Sequence, residues 1–136
     1  MKPILRPILV ALLFVLATVF IAGFFNVYNY IPHLDKIFHF FGGGIAAWFV
    51  IEFWKYRKHH FRPQIHWTMI FSAVLAIGLL WELAEYLSSL YSPHYFPWFV
   101  KYFYGGGLYD SIGDVVADMT GALLIIFSYP ERKQDR

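Results

Sequence analysis

The sequence predicts an all-α integral membrane protein: four transmembrane helices in one domain spanning residues 1–136. Three observations lead there. The chain is 59% hydrophobic and only 15% charged, too little polar surface for a soluble domain of this length. Four apolar stretches approach or exceed the ~20 residues that cross a bilayer. Basic residues cluster in alternate connecting segments, as cytoplasmic loops require. Cysteine is absent, which removes a disulfide framework and a thiolate site together. No basic arm or aromatic-basic module points to nucleic acid.

The first helix is expected over residues 8–25, after Lys2 and Arg6 and before Asn26, Asn29 and Pro32. Basic residues before an apolar run also describe a signal peptide. The length of the run, with Ala22-Gly23 as the one small-residue pair near its end, favours an uncleaved helix. The second is expected over 33–54, where Asp35, His39, Gly42 and Ala46 share a face. Small residues on such a face let a partner helix approach closely. The basic stretch KYRKHHFRP leads to the third helix, over 66–90, which carries Glu82 and Glu85 in WELAEY, with Gly78 and Ser89 on the same side. Residues 92–107, rich in aromatics, read as an interfacial loop, since Tyr and Trp favour the headgroup level. The fourth helix is expected over 108–128.

With four spans, Lys2, Arg6, Lys55, Arg57, Lys58, Arg62, Arg132, Lys133 and Arg136 fall on one side, and Lys36 and Lys101 on the other. Nine against two puts both termini in the cytoplasm.

The fourth helix carries the most informative pattern. Asp110, Asp114 and Asp118 stand at i, i+4 and i+8, within one sector about 80° wide, alongside Ala117 and Gly121. Three carboxylates on an apolar helix are costly in hydrocarbon and must face protein, water, protons or a metal. At ~1.5 Å per residue, His39, Glu82, Glu85, Asp114 and Asp118 lie roughly 8–15 Å below the helix ends nearest them. All occupy the half of the membrane away from the cytoplasm. Asp35, His39, Glu82, Glu85, Asp110, Asp114 and Asp118 therefore converge on one outward-facing pocket holding six of the nine acidic residues, with Lys36 as the nearby cation. Like charges at close range raise one another's pKa, so bound cations, shared protons or a cationic group must compensate. Oxygen ligands with one imidazole suit Mg²⁺, Mn²⁺, Ca²⁺ or Zn²⁺.

Simpler roles compete with these. His39 can clamp Asp35 or Asp114 in helix packing. Asp35 and Asp110 fit helix-start positions exposed to water. Glu52 fits a residue that snorkels or pairs with Lys55. Buried Glu82, Glu85, Asp114 and Asp118 resist such readings, because intramembrane acids are functional candidates by default.

At these residues the chain resembles the VanZ-like membrane proteins and their small relatives of the YjdF type. The resemblance covers residues 33–125. It rests on Asp35, Lys36, His39 and Phe40 in D-K-x-x-H-F, on Glu82 and Glu85, and on Asp114, Asp118, Gly121 and Ala122. Asp118 stands where VanZ-like proteins tend to carry Asn, and no Arg follows the third helix, which favours the YjdF-like branch. The resemblance implies a small multi-pass protein of the bacterial inner membrane, linked to glycopeptide resistance or the cell envelope, and supports the same site residues. It names no reaction.

Three functions follow as expectations. In the first, the protein is an envelope-facing, metal-dependent hydrolase or transferase acting on a lipid-linked or phosphorylated substrate. His39, Glu82, Glu85 and Asp114 would be catalytic, and His39, Glu82, Glu85, Asp110, Asp114 and Asp118 would hold metal, with Asp35 and Lys36 in support. The second is a cation- or proton-binding transport or resistance protein. The third is a structural membrane module of a larger complex. The bilayer is the one partner all three share; homo-oligomerisation is left open.

Overall fold

A computed structural model describes residues 4–25, 27, 30–31, 33–57, 62–95 and 107–129, and the regular secondary structure among them is all helical. The helices are α1 (Leu5–Phe25), α2 (Leu34–Tyr56), α3 (Pro63–Tyr95) and α4 (Leu108–Ser128). Three segments are long and apolar enough to cross a membrane: Leu34–Tyr56, Gln64–Tyr91 and Leu108–Ser128. In α1 the apolar segment Leu5–Ile21 is shorter. Large apolar side chains cover the outside, among them Leu12, Leu16, Leu80, Val116 and Phe127, as hydrocarbon solvation permits.

Several helix limits differ from the sequence reading, α2 among them, which runs to Tyr56, past the expected end at residue 54. Helix α1 begins at Leu5 and α3 at Pro63, each three residues early, because proline is tolerated in a helix's first turn, where its missing N–H has no partner to lose. At its other end α3 runs on to Tyr95, through the Ser92-Pro93 pair expected to begin a loop. The remainder of the aromatic segment, residues 96–106, lies outside the described residues, as do the basic tail and Lys58, His59 and His60.

The axis of the bundle is the contact between α2 and α4, the most extensive between any two helices. Its cause is legible atom by atom. A Cβ on Gly43 would overlap the backbone carbonyl of Asp118, and one on Gly121 would overlap the carbonyl of Phe40. Only glycine permits that approach, the small-residue packing expected of helices without a hydrophobic driving force between them. Gly42, one position round, is less constrained: a Cβ there would meet Phe14 and Asp118 at 3.8 and 3.9 Å.

Below this crossing lies an apolar core of Ala46, Ala47, Val50, Ile51, Ile70, Val74, Ala122 and Ile126, drawn from α2, α3 and α4. The end beyond it is fastened by Glu52. Its carboxylate accepts from the Tyr129 hydroxyl and lies 3.4 Å from Lys55, whose ammonium sits 3.8 Å from the Tyr129 ring centroid. The expected Glu52–Lys55 pair is present. The Tyr129 partner was not anticipated. Helix α1 packs on α2 alone among the described helices, with Phe14 edge-on to Phe38 at 6.2 Å.

Gly43→Ala and Gly121→Ala are each expected to lower the unfolding free energy in detergent by about 1–3 kcal/mol, the range for overpacking. Gly42→Ala, with room for its methyl group, should be neutral or slightly stabilising. Equal midpoints for all three variants in thermal or SDS titration would contradict the close α2–α4 approach.

Candidate functional site

The polar residues singled out from the sequence do converge. They come from the amino-terminal ends of α2 and α4 and the carboxyl-terminal half of α3, at the end of the bundle away from Glu52. Asp35 and Asp110 occupy the first turns of α2 and α4, where the helix dipoles favour negative charge. Asp35, His39, Glu85, Asp114 and Asp118 are buried; Glu82 and Asp110 are partly so.

The site has two halves of different character. In the first, Lys36 Nζ donates to Asp110 Oδ1 at 2.6 Å and to Asp114 Oδ1 at 3.0 Å. One ammonium thus ties α2 to two successive turns of α4. It balances much of the charge that the triplet Asp35, Asp110 and Asp114 would otherwise offer to a metal.

The second half is built round His39. Its Nδ1 lies 3.3 Å from Asp118 Oδ2. With Asp118 accepting from Nδ1–H, the lone pair is left on Nε2. Nε2 faces Glu82 Oε1 at 3.6 Å and Asp35 Oδ1 at 4.0 Å, beyond hydrogen-bond reach. Two triads share His39: ligand atoms of Asp35, His39 and Glu85 lie within 4.8 Å of one another, and so do those of His39, Glu82 and Asp114. Asp35 Oδ2, His39 Nε2 and Glu82 Oε1 are buried with no hydrogen-bond partner among the described residues. Buried polar atoms are rarely left so, because each forfeits its hydration. Of these, His39 Nε2 and Glu82 Oε1 face each other at 3.6 Å, a separation that a charge on the imidazole or an ion beside it would answer.

That geometry suits a small cation. Ligand atoms about 3.6 Å apart are what two donors at ~2.1 Å from one ion present at near-tetrahedral angles. An imidazole whose far nitrogen is held by a carboxylate is the usual histidine ligand arrangement.

Several expectations are refined by this arrangement. Asp35 is 7% exposed and turned into the cluster, so it is not a water-exposed helix start. The His39 clamp goes to Asp118, not to Asp35 or Asp114. Ser89 does not join the polar face: it is exposed, and its hydroxyl donates to the Tyr86 carbonyl at 2.7 Å, satisfied within its own helix. Gly78 does face the site, with Asp118 against it. Sequence reasoning missed Trp81, whose Nε1–H donates to Glu85 Oε1 at 2.8 Å. The i, i+4 spacing of the two was the available signal.

Fold and site together are those of an all-helical membrane protein with a buried acidic and histidine cluster at one end. The chain belongs to the family described as Predicted membrane protein (DUF2238), whose model matches residues 2–133. It is also similar to an uncharacterized protein of Thermotoga maritima, 28% identical over 100 residues, covering 72% of this chain and 48% of that protein. The chain thus spans about half the length of the curated relative it matches. No solved structure matches.

Lys36→Met should destabilise the fold by about 1–3 kcal/mol, since it strips buried Asp114 of its donor. Adding Asp114→Asn should recover part of that loss. Strictly additive effects in a double-mutant cycle would mean that the Lys36–Asp114 contact carries no coupling.

Proposed function

We propose that the protein holds a divalent cation at Asp35, His39, Glu82 and Glu85, and uses it for hydrolysis or group transfer on a lipid-linked or phosphorylated substrate at the outer face of the bacterial inner membrane. The observation that carries this is the trio of buried, unpartnered atoms on Asp35, His39 and Glu82, with Asp118 behind the imidazole. Three carboxylates with one imidazole suit Mg²⁺, Mn²⁺, Ca²⁺ or Zn²⁺. Such an ion, when bound, polarises a phosphoryl or carbonyl oxygen and acidifies bound water.

The remaining roles follow from position. Asp118 orients His39. Glu85, steadied by Trp81, completes the ligand set beside Asp35 and His39. Asp114 and Asp110 hold Lys36, whose ammonium is part-exposed at the edge of the cluster, where an anionic group would arrive.

The basic residues of the other end, with Lys55, Arg57 and Arg62 exposed there, support cytoplasmic termini and a site facing the envelope, with α1 as a fourth span. The VanZ-like resemblance supports an envelope role. Transport is less favoured. Among the described residues the acid at the cytoplasmic end is Glu52, and Tyr129 and Lys55 already hold it. Between it and the cluster lies the apolar core.

Elemental mass spectrometry of the detergent-purified protein should find a stoichiometric divalent metal. His39→Ala, Asp35→Asn and Glu82→Gln should lose it. Asp118→Asn should weaken binding by about 10–100-fold, as loss of an outer carboxylate does, while Glu52→Gln should retain the metal in full. A metal-free wild type, or metal kept by the ligand variants, would rule out the assignment.

A further inference from the structure

We propose that the cleft between α1, α2 and α3 seats the hydrocarbon chain of a membrane lipid and presents its phosphate headgroup to the cation site. This rests on the metal reading above and names the substrate class that the site takes.

The cleft has a volume of about 390 Å³, within the range of small-molecule sites. It exists because α1 leans on α2 without reaching α3 or α4. Its walls are apolar along their length, with Ala11, Phe14, Phe38, Ile45 and Ile77 among them. Its polar end is the cation site, since Asp35, His39, Glu85 and Asp118 line it too. The mouth opens sideways. Ile8, Leu12, Val15 and Ile77 line the cleft and are also exposed on the outer surface, which in a membrane is the surface facing lipid.

Length agrees with this occupant. Along α1 the lining runs from Pro7 to Val19, roughly 18 Å at the helical rise. That is close to one leaflet's share of the ~30 Å hydrocarbon core. The side-chain hydroxyl of Thr18 is satisfied by the Val15 carbonyl, so it asks nothing of a chain lying beside it. A free phosphate has no use for such a trough. A bare anion would also be repelled by the carboxylates, so the headgroup phosphate must meet them through the ion, with Lys36 nearby.

The test reconstitutes the full chain in phosphatidylcholine vesicles, with its metal measured on the same samples. A diazirine-bearing long-chain alkyl phosphate is the probe, and the matched alkyl ammonium is the comparison. The phosphate probe should label residues lining the cleft, and chelation should cut labelling roughly tenfold. Ala11→Trp, which fills the cleft away from the site, should also cut it roughly tenfold with metal content unchanged. Val15→Trp at the mouth repeats the test should Ala11→Trp not fold. Metal-replete protein labelled indifferently over its outer surface, or labelled equally in both tryptophan variants, overturns this inference and leaves the metal site standing. Labelling by the alkyl ammonium in metal-free protein overturns it by reversing the charge of the headgroup. A wild type without metal fails the underlying reading, and this inference with it.

Discussion

The backbone contact between α2 and α4 is the constraint on which everything else depends. Gly43 lies against the carbonyl of Asp118, and Gly121 against that of Phe40, so the two helices touch main chain to main chain. That closeness is what lets Lys36 reach two aspartates on α4 and His39 reach a third. A helix pair separated by ordinary side chains would sit farther apart. His39 would then fall short of Asp118 and lose the group that fixes its imidazole. The glycines therefore act on the chemistry through distance, without contributing a polar atom themselves.

The cluster is asymmetric in its electrostatics. Asp110 and Asp114 are answered by Lys36 within the protein, whereas Asp35 and Glu82 keep buried oxygens without donors among the described residues. Structural polar contacts in membranes are weak, averaging under about 1 kcal/mol, and a bundle gains little from assembling more of them. The Lys36 half can be understood as packing. The His39 half keeps buried atoms without partners among the described residues, and it is this half that supports the cation reading proposed above.

Much of this was legible in the sequence, for identifiable reasons. The i, i+4, i+8 aspartates of α4 declared a helical face, and helix order alone put Asp35, His39, Glu82 and Glu85 at the same end. Apolar length declared the helices. Pairings across helices were not legible, because periodicity fixes which residues share a face and not which atoms meet. His39 thus found Asp118, one turn further along α4 than Asp114. Asp35 looked like an ordinary helix start until its neighbours buried it. Ser89 had the right spacing, yet its short hydroxyl was satisfied within its own turn. The Tyr129–Glu52 bond joins residues far apart in sequence, which no local pattern reveals.

The peripheral placement of α1 has a mechanical consequence. The ligand-bearing residues belong to α2, α3 and α4, which brace one another, whereas α1 leans on α2 alone. Displacing α1 costs its own contact with α2 and breaks none of the polar pairs inside the cluster. It forms one wall of the gap beside the site while contributing to none of the cluster's polar pairs, so the wall and the ligand-bearing frame are built from separate contacts.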